Sequence, residues 1–188
     1  MKIQSAQFTK GITNCDTIVD DGIPQIAFIG RSNSGKSSVI NSLVDNNNLA
    51  RISSFPGRTQ QINFFLVNKS VYFVDLPGYG YAKVPYRVKE GIRTMINKYF
   101  FVSGCQQKTV VLIIDAKVGP TKDDLEFVAA LDEYKKNVII LANKIDKLNK
   151  EKHEPQLKMI KEVMGGHKVI PYSAKKLIGV KELLAEIL

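Results

Sequence analysis

The segment Gln25-Ile-Ala-Phe-Ile29 runs directly into Gly30-Arg-Ser-Asn-Ser-Gly-Lys-Ser37, so a strand-sized apolar run opens onto a loop of the form G-x-x-x-x-G-K-[ST] and then onto helix-forming residues. That order of elements makes a phosphate cradle. Gly30 and Gly35 allow tight backbone turns that aim successive N–H groups inward, and the positive end of the following helix adds attraction for phosphate. Lys36 supplies a point charge to the β and γ phosphates. Ser37 offers a hydroxyl to Mg²⁺, a hard cation that takes oxygen ligands.

Outward from this loop, short β-branched runs alternate with longer amphipathic stretches, the pattern of a parallel sheet covered by helices. Strands are expected at Gln25–Ile29, Ile62–Val67, Val71–Val74, Thr109–Ile114, Val138–Leu141 and Lys168–Ile170. Helices are expected over about Lys36–Leu43, Tyr86–Phe101, Thr121–Tyr134, Lys150–Val163 and Leu177–Leu188. Asn68-Lys-Ser70 is too short for a parallel crossover, so Ile62–Val67 and Val71–Val74 form an antiparallel hairpin at one sheet edge. The expected fold is a three-layer α/β P-loop NTPase, with a mostly parallel six-stranded sheet, one antiparallel edge strand and helices on both faces. A single domain spans 1–188, with 1–24 an N-terminal extension or extra strand of it. Asp45 to Gln61, rich in Asn, Ser and Gly, reads as a long functional loop.

Composition narrows the classes further. The 188 residues, 44% of them hydrophobic, suffice to bury a sizeable core. Cys15 and Cys105 are the two cysteines and lie far apart in sequence, which excludes a disulfide scaffold and paired metal-ligand cysteines and points to a reducing, cytoplasmic setting. The longest apolar runs are strand-sized and Met1-Lys-Ile-Gln-Ser-Ala-Gln7 holds no apolar signal core, so neither membrane insertion nor secretion is expected. The 27 Lys and Arg outweigh 18 Asp and Glu, and the formal charge of +9 favours polyanions.

Two later motifs separate GTPases from other phosphate-loop proteins. Asp75-Leu-Pro-Gly78 follows a strand, so Asp75 is placed to hold the metal through water, and Gly78, without a side chain, lets its N–H approach the terminal phosphate. Asn143-Lys-Ile-Asp146 leaves the carboxyl end of a strongly apolar strand, the edge where open α/β sheets bind ligands. The Asp146 carboxylate can accept two parallel hydrogen bonds from guanine N1–H and its exocyclic amine. Adenine offers an acceptor at N1 and no amine at C2, which would leave the charge unpaired.

With Ser54-Phe-Pro-Gly-Arg-Thr-Gln-Gln-Ile-Asn-Phe64 and Asp75-Leu-Pro-Gly-Tyr-Gly-Tyr-Ala82, the chain resembles the translation-factor-related GTPases, specifically the EngB-type (YihA/YsxC) ribosome-assembly GTP-binding proteins. The resemblance implies that Thr59 ligates Mg²⁺ when GTP is bound, that Asn143 braces the phosphate loop, that Lys144 covers the base, and that Ser173-Ala-Lys175 contacts the guanine edge through its backbone. The resulting nucleotide-binding set is Gly30, Arg31, Ser32, Asn33, Ser34, Gly35, Lys36, Ser37 and Ser38, then Gly57, Arg58, Thr59, Gln60 and Gln61, then Asp75, Leu76, Pro77 and Gly78, then Asn143, Lys144, Asp146, Ser173, Ala174 and Lys175. Ser37, Thr59 and, through water, Asp75 form the metal set. Lys36, Thr59, Gly78 and Asn33 act on the reacting phosphate. From the residues alone, Ser53 or Ser54 could supply the loop oxygen in place of Thr59, which is favoured by lying just before the strand that starts at Ile62. The resemblance also implies a cytoplasmic factor, monomeric when free, that assists assembly of the large ribosomal subunit and is needed for normal growth, cell division and septation.

No glutamine follows Asp75-Leu-Pro-Gly78, since Tyr79 and Gly80 stand there, so intrinsic hydrolysis is expected to be slow without a partner. Asn33 leaves two readings open. It either helps bind K⁺ between the phosphates, as in similar GTPases, or it braces the loop. The helix from Tyr86 sets Val88, Ile92, Met95, Ile96 and Tyr99 on one face and Arg87, Lys89, Arg93 and Lys98 off it. With Lys83 before it, and Lys147, Lys150, Lys152, Lys158 and Lys161 near a second helix interrupted by Pro155, a surface for rRNA phosphates is expected. The alternatives are a switch acting on another RNA or protein, a small-molecule phosphotransferase, which would need an acceptor lid and base, and a nucleotide-independent RNA-binding module, for which Lys36 would be dispensable.

Overall fold

The strand that leads into the phosphate loop, β2 (Gln25–Gly30), is the middle strand of the sheet in a computed structural model that describes residues 3–13, 19–46, 48–50, 61–80, 85–103, 105 and 107–188. Every residue of β2 is buried, as its unbroken apolar run requires. On one side it pairs in parallel with β4 (Val71–Asp75), and on the other with β5 (Gln107–Asp115). Beyond β5 lie β6 (Val138–Asn143) and β7 (Lys168–Pro171), both parallel. Next to β4 runs β3 (Ile62–Val67), antiparallel, so the expected hairpin is present. Its turn places Asn68 and Lys69 at φ 48° and 56°, the left-handed pair that matches the twist of two tightly joined strands.

The described sheet has seven strands rather than six, because β1 (Ala6–Ile12) adds outside β3. Only Ile12 of this strand is buried, so no apolar alternation marks it. Asn68 draws it in: the side-chain oxygen accepts the N–H of Gln4 at 2.8 Å and of Ser5 at 3.2 Å, and its own N–H donates to the Ser5 carbonyl at 2.9 Å.

Helices cover both faces. On one lie α1 (Lys36–Val44) and α5 (Val180–Ile187), which pack Val39, Ile40, Leu43, Leu183 and Ile187 onto Phe28, Phe73, Ile113 and Leu141. On the other lie α2 (Tyr86–Asn97), α3 (Lys122–Glu133) and α4 (His153–Val163), which bury Ile92, Ile96, Leu131 and Ile160 against Val74, Leu112 and Ile140. α2 runs into a π-helical turn, Lys98–Val102, in place of a continuous α-helix to Phe101. Pro155 does not interrupt α4. It stands in the first turn, where its missing N–H has no intrahelical partner to lose. α5 starts at Val180 rather than Leu177, because Gly179 at φ 79° ends a turn in which Ser173 and Ile178 pair backbone to backbone.

Candidate functional site

The carboxyl ends of β2, β4, β5 and β6 bring Gly30, Asp75, Asp115 and Asn143 to one edge of the sheet, since Phe28 is level with Asp75 and Asp115 with Asn143. From β2 the chain passes through the phosphate loop into α1 without a side-chain cap, leaving the N–H groups of its first turn to external acceptors. Lys36, buried here, forms an ion pair with the more deeply buried Asp75. Gly35 takes φ 96°, and a Cβ there would run into Nδ2 of Asn143, so the turn and the close approach both require glycine.

Asn143 joins the two loops the sequence had marked separately. Its Nδ2 donates to the Ser34 carbonyl at 2.9 Å and its Oδ1 accepts the Ala174 N–H at a long 3.3 Å. Asn143 thus links the phosphate loop to the turn that carries Ala174. Lys144, at φ 66°, reaches across the phosphate loop, its ammonium donating to the Asn33 carbonyl at 2.5 Å and to Asp115 Oδ2 at 2.7 Å. Asp146 has Oδ1 fixed by the Ser173 hydroxyl at 2.6 Å, and Ser173 Oγ in turn accepts the Lys176 N–H at 3.0 Å. Ser173 thus acts through its side chain on Asp146, while its N–H donates to the Ile178 carbonyl at 3.1 Å. Lys175 is exposed. Tyr172, the residue before this turn, binds Ser42 of α1 at 2.7 Å, and burial pushes its hydroxyl pKa up to about 12.

Ser37 and Ser38 lie half-buried in the first turn of α1, beside the Lys36–Asp75 pair. Ser34 is buried with its hydroxyl unpartnered. Asn33 is exposed at φ 68°, a backbone state that asparagine tolerates better than most residues. Leu76 and Pro77 are both buried, Leu76 fully and within the core under the sheet, where it anchors the loop. Gln61 is engaged at the outer strands, its amide donating to Asn63 Oδ1 at 2.9 Å against Gly11, and is not brought to the phosphate loop. Gly57, Arg58, Thr59 and Gln60, with Ser53, Ser54, Lys83 and Cys15, lie outside the described residues. Cys105 is a buried free thiol.

Sequence reasoning missed Asp115 and Asp124. An acidic residue ending an apolar strand was the available signal for Asp115. For Asp124 it was the pattern Thr121-x-x-Asp124, a capping box in which Asp124 Oδ2 accepts the Thr121 N–H at 2.7 Å.

The basic residues divide. Arg87, Lys89 and Arg93 of α2 are exposed, and Lys98 is half-buried. Lys147, Lys150, Lys152, Lys158 and Lys161 are exposed near α4, but Lys158 lies 3.9 Å from Glu162, and the exposed Glu151 and Glu154 stand among them in the chain, which dilutes this second cluster. No helix among the described residues is long and apolar enough to cross a membrane.

A family model described as "50S ribosome-binding GTPase" matches residues 25–144. Probable GTP-binding protein EngB of Clostridium perfringens (strain 13) is 42% identical over 187 residues, covering 98% of this chain and 94% of the relative. Its counterpart in Clostridioides difficile (strain 630) is 39% identical over 190 residues, covering 100% and 93%. A crystal structure of a probable GTP-binding protein EngB matches with a TM-score of 0.72 at 27% identity, covering 87% of this chain and 96% of that one. Similarity of this degree along the whole chain, carried on a P-loop GTPase fold, makes the protein a member of the EngB family of GTP-binding proteins and a GTPase.

Proposed function

We propose that the protein is a GTP-driven switch that assists assembly of the large ribosomal subunit, binding that subunit or its precursor more tightly with GTP than with GDP, and that cell growth, division and septation depend on it. One juxtaposition carries the reading. The exposed Arg87, Lys89 and Arg93 stand on α2, the first helix after Gly78, which is the expected γ-phosphate contact. The family model, whose description names 50S ribosome binding, supports the choice of subunit. The protein works as a monomer in the cytoplasm.

In this reading the phosphate loop and Lys36 hold the phosphates, Asp146, fixed by Ser173, reads the guanine edge, and Lys144 flanks the base. Ser37, Asp75 through water, and Thr59 hold Mg²⁺. The donors suit that ion in type, because Ser37 and Asp75 offer hard oxygens, and Asp75 would give up its ion pair with Lys36 for a metal-bound water as Lys36 turns to the phosphates. When bound, Mg²⁺ offsets charge on the β and γ phosphates. Asn33 would help hold a K⁺ ion, which would supply further positive charge for the reacting phosphate, and without a glutamine after Gly78 hydrolysis is slow until a partner engages.

Tenfold preference for the GTP state would need only about 1.4 kcal/mol of coupling. Co-sedimentation with separated large and small subunits, in a non-hydrolysable GTP analogue and in GDP, tests the proposal. Recovery with large subunits is expected, stronger with the analogue, falling steeply with salt, and less steeply when Arg87 and Arg93 are reversed in charge. Equal recovery in both nucleotide states, or recovery with small subunits alone, would defeat it.

A further inference from the structure

Tyr79 holds the phosphate loop with its backbone and α3 with its side chain. Its carbonyl accepts the Ser32 N–H at 2.9 Å and its N–H donates to the Gly30 carbonyl at 3.3 Å, a bridge that fastens the residue after Gly78 to the loop. Its hydroxyl donates to Asp124 Oδ1 at 2.5 Å, and its ring rests on Phe127 with centroids 5.6 Å apart. Asp124 is 2% exposed, and its other oxygen accepts the Thr121 N–H at 2.7 Å and hydroxyl at 2.6 Å, closing the capping box of α3. A buried carboxylate held by three charge-assisted donors at a helix N-terminus is a stiff anchor, because losing any one donor exposes its charge to an apolar surrounding. Burial, and then the nearby charge of Asp124, raise the Tyr79 hydroxyl pKa well above its usual value, so it stays a donor.

Gly78, one peptide bond away, is packed on the same loop: a Cβ there would sit 3.1 Å from the Gly30 carbonyl oxygen and 3.2 Å from the Ser32 nitrogen. Gly78 is therefore held between the phosphate loop and a residue that is itself tied to α3.

We infer that Tyr79 is a positioning residue for GTP, its bond to Asp124 holding the Gly78 N–H where the γ phosphate arrives and so favouring GTP over GDP. This rests on reading Gly78 as the γ-phosphate contact. A donor held in place before the ligand arrives loses less freedom on binding, and only a ligand that carries the γ phosphate gains from it.

Tyr79→Phe keeps the ring on Phe127 and removes the hydroxyl, while Asp124→Asn keeps the shape and removes the charge. The assay is calorimetry on the full chain with Mg²⁺, using GDP and a non-hydrolysable GTP analogue. In Tyr79→Phe the analogue should bind about three- to tenfold more weakly while GDP changes by less than about twofold. Asp124→Asn should follow in the same direction, and the double variant should add little, since the pair acts as a unit. Equal changes for the two nucleotides, as a merely structural role would give, or no change for the analogue, overturn the inference. Gly78→Ala separates the two layers. Unchanged analogue affinity there removes Gly78 from the γ-phosphate site and the inference with it, whereas a loss in Gly78→Ala without one in Tyr79→Phe removes the role of Tyr79 alone.

Discussion

Replacing Asn143 with alanine tests whether the phosphate loop and the Asn143–Asp146 loop form one clamped unit. The substitution deletes the donor to the Ser34 carbonyl at 2.9 Å and the acceptor of the Ala174 N–H at 3.3 Å, and leaves both backbone groups in place. Asn143 is 2% exposed and Ser34 3%, so water cannot readily replace the lost partner at the carbonyl. An unpaired buried carbonyl costs about 1–3 kcal/mol, and the long second bond contributes about 0.5–1 kcal/mol, so the nucleotide-free protein should lose about 1.5–4 kcal/mol. Urea unfolding followed by circular dichroism measures this directly, provided the m-value is unchanged. Gly35 supplies an internal check. In the parent, Gly35→Ala meets left-handed strain of about 1–2 kcal/mol as well as collision with Asn143 Nδ2. In the Asn143→Ala background only the strain remains, so the second substitution should cost at least about 1 kcal/mol less there. Strictly additive costs, or a loss below about 1 kcal/mol for Asn143→Ala alone, would refute the clamp.

Asp146→Asn should weaken GDP and GTP and favour xanthine nucleotides, because an amide donor suits the xanthine C2 carbonyl; unaltered GTP affinity in equilibrium titration would remove Asp146 from the base site. Hydrolysis should run faster in K⁺ than in Na⁺ at equal ionic strength. Asn33→Gly, which accommodates the φ of 68° while removing the amide, should abolish the difference in a phosphate-release assay, and equal parental rates in both salts would leave Asn33 as a loop brace. Tyr172, fully buried with its pKa raised to about 12, binds its proton more tightly folded than unfolded. Its contribution is therefore present below pH 10 and falls as pH rises from about 10 to about 12. Denaturation curves across that range should show a shallower decline in Tyr172→Phe, and identical declines would assign alkaline sensitivity to other groups.

Local chemistry determined those parts of the protein whose partners lie close along the chain. The phosphate loop needs its glycines, lysine and serine within Gly30–Ser37, and the hairpin follows from the short Asn68-Lys-Ser70 link. The helix faces follow from period: Ile92, Met95 and Ile96 are buried and Arg87, Lys89 and Arg93 exposed because 3.6 residues per turn leave no other choice. Sheet position and cross-links behaved differently. β1 buries one side chain of seven, so no periodicity could announce it, and it pairs because β3 has a free edge and Asn68 reaches Gln4 and Ser5. The bonds from Lys144 to Asp115, Ser173 to Asp146 and Tyr79 to Asp124 span 29, 27 and 45 residues. No helical or strand period links such separations. The first two depend on the order β5-β6-β7, which sets Asp115 level with Asn143 and the end of β7 beside the end of β6. The third depends on the loop after β4 lying on the phosphate loop within reach of the first turn of α3. Residue type thus specified which groups can bind phosphate and guanine, whereas tertiary packing decided which side chains hold them in place, because only the folded sheet brings those partners within hydrogen-bond distance.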